Sequence, residues 1–354
     1  MRQRFKLSIF LAVLLFAAGE VLAAELPQFE VDRAWPKVPA KWKLGDASSI
    51  AIDGKDNVYV LHRPRTLKAE DAAIAAPPVM VFDQAGNYVK SWGGTGSGYE
   101  WPEREHGIHI DHQEHVWIGG NNCPEGGNRG LKPLADDALL KFTLDGKFLL
   151  QIGRSNQSKG DNDTANVHRA ADAWVDARAN ELFVADGYGN HRVIVFDSDT
   201  GKFKRMWGAF GKPPAGVDHC QVTAPKIFPD TVGPADYNVV HAIRVSNDGM
   251  VYVADRENRR LQVFTADGTF VNQIVRPDVS FARDLAFSPD QRFLYVGGGK
   301  GIFVIERKSF TIVGAIQVPG QLGPGHHIAT DSKGNLYIAQ TSAGLQKLVF
   351  KGMK

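Results

Sequence analysis

HAIRVSNDGMVYVADRENRRLQVFTADGTFVNQIV, His241 to Val275, holds four short apolar stretches separated by polar breaks. The N-D-G and D-G breaks between alternating apolar residues are signals of antiparallel hairpins. The unit recurs along the chain. Its first two strands reappear as SSIAIDGKDNVYVLH from Ser48, HGIHIDHQEHVWIGG from His106, DAWVDARANELFVAD from Asp172, DLAFSPDQRFLYVGG from Asp284 and HHIATDSKGNLYIAQ from His326. The second strands end in register, at His62, Gly120, Asp186, Asp255, Gly298 and Gln340, with no gap in any copy. Third and fourth strands recur as PVMVFDQAGNYVKSWG, ALLKFTLDGKFLLQIG, VIVFDSDTGKFKRMWG and GIFVIERKSFTIVGAI. Four strands repeated six times predict an all-β, six-bladed propeller. The sixth unit supplies a third strand at Gly344 to Phe350 and no fourth. The stretch Phe29 to Trp35 is expected to fill that place and close the ring, which removes exposed edges.

Composition agrees with this reading and excludes others. Lys and Arg number 41 against 39 Asp and Glu, a net charge of +2, which lacks the basic excess of a nucleic-acid binder. Two cysteines exclude a disulfide-dense scaffold and a four-cysteine zinc site. Arg2, Arg4 and Lys6, the apolar run Leu7 to Ala18 and the small-residue site Val21-Leu22-Ala23 read as a secretory signal peptide over residues 1–23. Residues 24–354 then form one propeller domain, exported to the periplasm or secreted, with no membrane span after cleavage, and expected as a monomer. Extra length between strands falls at Arg63 to Pro78, Gly119 to Asp137 and Gly208 to Asn238. In a propeller these loops share one face, which suggests a binding surface there.

The innermost strand of each blade lines the central channel. Its first residue, around the ring, is Ser48, His106, Asp172, His241, Asp284 and His326. Three histidines on alternate blades are related by near three-fold rotation. Three neutral imidazoles converging on an axis make a metal site with an open fourth position, as in catalytic zinc centres. The plainer reading is that they line a wet channel. His109, His112, His115, His168, His191 and His219 read as surface or polar packing residues. The turns after the second strands add polar groups on the same rim: His62-Arg63, Asp186-Gly187-Tyr188-Gly189-Asn190 and Asp255-Arg256-Glu257-Asn258. Arginine binds carboxylates through paired N–H groups. A tyrosine beside a cation can serve as a base.

These segments resemble those of the NHL-repeat propellers, and among them the peptidyl-α-hydroxyglycine α-amidating lyases, also called peptidylamidoglycolate lyases. The resemblance covers essentially the whole mature chain. The family's zinc histidines open inner strands, which places the ligands at EHGIHID (His106), VHAIRVS (His241) and GHHIATD (His326). Its D-G-Y-C-N segment with the catalytic tyrosine matches DGYGN at Tyr188. Its D-R-E-N segment matches at Arg256, and its F-H-R-G segment matches LHRP at Arg63. The resemblance implies a zinc lyase that splits the C–N bond of an N-acyl or peptidyl α-hydroxyglycine to an amide and glyoxylate. Tyr188 would handle the proton, and Arg63 and Arg256 would bind the substrate carboxylate or the developing anion. It also implies a structural calcium on the axis, held in part by an acidic residue after the third histidine, where this chain has His327. The family's cysteine beside the tyrosine is Gly189 here. Cys123 and Cys220 sit instead on two long insertions, either bridged or free. The partner monooxygenase domain of the family has no counterpart in the sequence. Two other readings stay open: a non-catalytic exported propeller that binds a protein or a small anionic ligand, and a hydrolase such as a lactonase, since Asp172 and Asp284 share the histidines' phase.

Overall fold

The structure, a computed structural model, describes residues 25–124, 131–216, 232–299 and 301–354. The signal-peptide reading of residues 1–23 and the position of Cys220 lie outside these. Within them the repeat becomes six four-stranded antiparallel sheets. Blade one runs Asp46–Ile52, Val58–Arg63, Val79–Phe82 and Tyr88–Trp92 from the channel outward. The innermost strands of blades two to six are Glu105–Ile110, Asp172–Asp176, Val240–Val245, Leu285–Phe287 and His327–Thr330. The second strands are apolar on both faces because each lies between two neighbouring blades; Glu181–Asp186 and Val251–Asp255 are buried throughout.

The core is correspondingly divided. One apolar cluster fills each gap between adjacent blades, for example Phe183, Trp207, Val253 and Phe264 between blades three and four. Tyr59, Trp101, Ile118 and Phe142 do the same between blades one and two. Ring closure follows the expected scheme with one shift. The pairing strand is Pro27–Asp32, two residues earlier than the sequence pattern suggested, and it runs antiparallel to Gly344–Met353. It stops because Asp32 Oδ1 accepts the Ala34 N–H at 2.9 Å and turns the chain. Trp35 then leaves the sheet and is buried against Phe82 and Tyr337, bridging blades one and six. No helix among the described residues is long and apolar enough to cross a membrane.

Candidate metal centre

The six first positions do not behave alike, and the reason is local backbone geometry. In blade two the register moves from Glu105↔Gly120 to Ile108↔Ile118, and in blade four from Val240↔Asp255 to Ala242↔Ala254. Each shift is a bulge, with an extra residue on the inner strand at His106 or His241. Such an insertion re-aims a side chain. In blade six, His327 pairs with Ala339 while the His326 N–H also bonds to the Ala339 carbonyl, at 2.8 Å, so two histidines oppose one residue. Blade one has the bulge at Ser48, whose hydroxyl donates to the Leu61 carbonyl. Blade three repeats the blade-six arrangement one position earlier: Asp172 pairs with Ala185 while the Ala171 N–H also bonds to the Ala185 carbonyl, at 2.8 Å, so it is an alanine that takes the histidine's place.

The bulged histidines meet on the axis. Ring centroids of His106, His241 and His326 are 5.0, 4.7 and 5.0 Å apart pairwise, close to an equilateral triangle. Each Nδ1 donates to a backbone carbonyl: His106 to Ala171 at 2.7 Å, His241 to Arg283 at 2.5 Å and His326 to Ser48 at 2.6 Å. Those bonds fix the Nδ1–H tautomer and leave every Nε2 lone pair for the centre. Burial holds the rings neutral. It drives His106 and His241 well below the ordinary imidazole pKa and His326 down to about 3, with neighbouring imidazoles and arginines adding to the effect. Neutral imidazole is the form that ligates a metal. His241 Nε2 is buried with no hydrogen-bond partner. A buried nitrogen with no partner is costly unless an ion or water satisfies it. This all-nitrogen donor set suits zinc.

The rim residues converge on the same point. Tyr188 Oη lies 3.0 Å from His106 Nε2 and accepts from Arg256 Nη1 at 2.8 Å. The Arg256 guanidinium also covers the Tyr188 ring, 5.2 Å from its centroid. Gly187 lets this turn approach blade four: a Cβ there would sit 2.2 Å from Val240 backbone atoms. A Cβ on Gly189 would sit 2.1 Å from the His168 ring, which explains why no cysteine stands beside the tyrosine. Arg63 is buried, and its Nε donates to the Glu105 carbonyl at 2.7 Å. Burial, with Arg104 nearby, lowers its pKa to about 10, so it stays charged at neutral pH. It borders a cavity of about 310 Å³ shared with Arg65, Thr66, Glu103 and Arg104. Cys123 is disulfide-bonded.

Two contributors escaped the sequence. Arg283 directly precedes a first position; its carbonyl orients His241, and its guanidinium, half-buried, lies close enough to lower the His326 pKa. His327 is the second, and its ring lies 4.8 to 5.4 Å from the other three. Asp172 and Asp284, which share the histidines' phase, are turned elsewhere. Both carboxylates hold the buried Arg244 guanidinium: Asp172 is hydrogen-bonded to Nη1, and Asp284 lies 3.4 Å from Nη2. Asp172, Asp284 and His327 could together contact a cation. Calcium nevertheless fits them poorly, since it takes roughly six to eight oxygen ligands and these two carboxylates already carry a cation.

This geometry defines a class: a six-bladed β-propeller with a buried histidine cluster on its axis. An NHL-repeat model matches residues 238–264, within the unit quoted at the outset. Over 345 residues the chain is 25% identical to NHL repeat-containing protein 3 of Mus musculus, spanning 90% of this chain and 83% of that protein. It is 28% identical over 303 residues to peptidyl-glycine alpha-amidating monooxygenase A of Xenopus laevis, spanning 79% of this chain but only 28% of the relative's length. A probable peptidyl-alpha-hydroxyglycine alpha-amidating lyase of Caenorhabditis elegans is 22% identical over 241 residues, 64% of this chain and 57% of its own. The chain is thus distantly related to amidating enzymes and also to an NHL repeat-containing protein whose name specifies no reaction.

Proposed function

We propose that the protein is a zinc-dependent lyase that converts an N-acyl or peptidyl α-hydroxyglycine into an amide and glyoxylate. The observation that carries this reading is the Tyr188 hydroxyl, held between His106 Nε2 and Arg256 Nη1 at the mouth of the histidine cluster. His106, His241 and His326 would hold the ion, whose role when bound is Lewis acidity toward the substrate's α-hydroxyl. Acting as the phenolate, Tyr188 Oη would take the hydroxyl proton as the C–O bond becomes a carbonyl and the C–N bond breaks, and would pass that same proton to the departing amide nitrogen. Arg256 donates to the same oxygen and would stabilise the negative charge it carries before the transfer. Arg63, a buried guanidinium with no ion pair among the described residues, is placed to bind the glycine carboxylate. Substrate enters from the exported compartment, and the monomer contains the whole site.

Full-length protein purified after export should carry about one zinc per chain, lost in His241→Ala. It should release glyoxylate from benzoyl-α-hydroxyglycine, and Tyr188→Phe should lower kcat by about 100-fold or more. Zinc-loaded protein that releases no glyoxylate would instead favour a non-catalytic propeller that binds a protein or a small anionic ligand.

A further inference from the structure

His327 is as buried as His106 and His241 and more so than His326, and it is the residue whose chemistry the site has not yet used. Its Nδ1 edge faces Asp284 Oδ2 at 3.7 Å. Its Nε2 is buried with no hydrogen-bond partner, as is that of His241. One nitrogen from each of His106, His241, His326 and His327 falls within 4.8 Å of the other three. Two neighbours in sequence reach the same point because both oppose Ala339, so the usual strand alternation does not separate them.

We infer that His327 is a fourth imidazole ligand of the metal centre and presents Nε2 from the channel side, opposite Tyr188. The inference rests on the zinc reading above and deepens it. Each of the other three rings has its second nitrogen oriented by a carbonyl oxygen. For His327 the group that faces the second nitrogen is the Asp284 carboxylate, at 3.7 Å, a residue type that raises ligand basicity where it closes to a hydrogen bond at metal sites. Asp284 is itself anchored. It accepts the Ile328 N–H and pairs with Arg244, which is shared with Asp172. Arg244 supplies the positive charge these carboxylates need and keeps a second cation away from them. That leaves His327 to the upper cluster, where the two orphaned nitrogens satisfy each other's need only through a shared ion. With the channel side covered by His327, the substrate hydroxyl would approach as a fifth ligand from the Tyr188 and Arg63 side. A site of four neutral imidazoles carries the full charge of its ion, which suits an anionic substrate.

The test is spectroscopic and does not depend on turnover. X-ray absorption at the zinc edge of the full-length protein should show four imidazole nitrogens. In cobalt-substituted protein, His327→Gln should change the visible absorption bands and weaken metal affinity by at least about 10- to 100-fold, the range seen when even an orienting partner is lost. Asp284→Asn should weaken affinity in the same direction. A zinc shell of three imidazoles plus oxygen overturns the fourth-ligand assignment while leaving the lyase reading intact. So does a His327→Gln protein with unchanged affinity and spectrum. A four-imidazole centre in a protein that releases no glyoxylate does the reverse. Because the absorption measurement uses the unaltered chain, a misfolded variant does not blunt it.

Discussion

His62, directly before Arg63, shows how one buried imidazole sets a pH limit. Its Nδ1 accepts the Gly45 N–H at 3.2 Å and its Nε2–H donates to the Pro77 carbonyl at 2.9 Å. Burial pulls its pKa down to about 4, against a small opposing pull from that carbonyl. The unfolded chain, with an imidazole near 6.5, binds the proton first as pH falls. Stability is therefore full above pH 6.5 and is lost between 6.5 and about 4. His62→Gln keeps a donor for Pro77 and cannot titrate. Urea denaturation should show the wild type losing ~2–3 kcal/mol more than this variant between pH 7 and 4.5; parallel losses would refute the assignment. The neighbouring residues show what was legible. His106, His241, His326, Tyr188, Arg63 and Arg256 each recur at a fixed phase or in a short motif, so spacing could find them. Arg283 belongs to no motif and acts partly through its backbone carbonyl, which no side-chain pattern announces. His327 stood in plain view as a His-His pair, but alternation assigns the second member to the opposite face. Only the two-against-one pairing with Ala339 puts it inward.

At the scale of the element, the hairpins that carry Tyr188 and Arg256 are built alike. Each follows a second strand that ends in aspartate, and each is clamped by a fully buried arginine that opens the third strand. Arg192 Nε donates to Asp186 at 2.9 Å, and its remaining nitrogens reach the Asp161, Asp163 and Asn166 carbonyls. Arg260 does the same with Asp255 at 2.7 Å and the Pro234 and Asp236 carbonyls. Asn190 and Asn258 complete the two carboxylate shells. The aspartates quoted in the rim motifs are thus scaffolding that sets the angle of the tyrosine and the arginine. Removing one partner leaves a buried charge uncompensated, so Arg192→Met or Arg260→Met should cost about 3–5 kcal/mol. Lys351 and Glu30, an exposed pair at 2.9 Å, make the contrast: Lys351→Ala should change stability by less than about 1 kcal/mol. Denaturation midpoints of the three variants decide the matter, and equal effects would show that the clamps are not structural. Strand order, hairpin turns and blade count were readable from alternation and D-G breaks. The bulges were not, because a one-residue insertion leaves the apolar pattern almost unchanged while redirecting a side chain.

For the whole molecule, two closures hold the ring, one at its rim and one on its axis. The rim closure is Pro27–Asp32 against Gly344–Met353, with Phe29 buried against Tyr295 and Phe350. The axial closure would be an ion joining blades two, four and six. Both exist only when the six blades stand at their native angles, so each should favour the other. By linkage, whatever loosens the rim must weaken the axis by the same free energy. Deleting residues 25–32 exposes the edge of Gly344–Met353, two strand spacings, or roughly 10 Å, outward from the strand that carries His327. No ligand is removed, yet the deleted protein should hold zinc more weakly than the intact chain in a chelator competition. Conversely, chelation should lower the thermal midpoint of the intact protein, as expected when an ion binds the native state alone. In the deleted protein the metal-bound and metal-free midpoints should lie closer together, because part of the ion's binding energy goes into drawing the open ring shut. Equal zinc affinity in the two proteins would show that the blades keep their angles without the rim strand, and that the axis alone sets the ring.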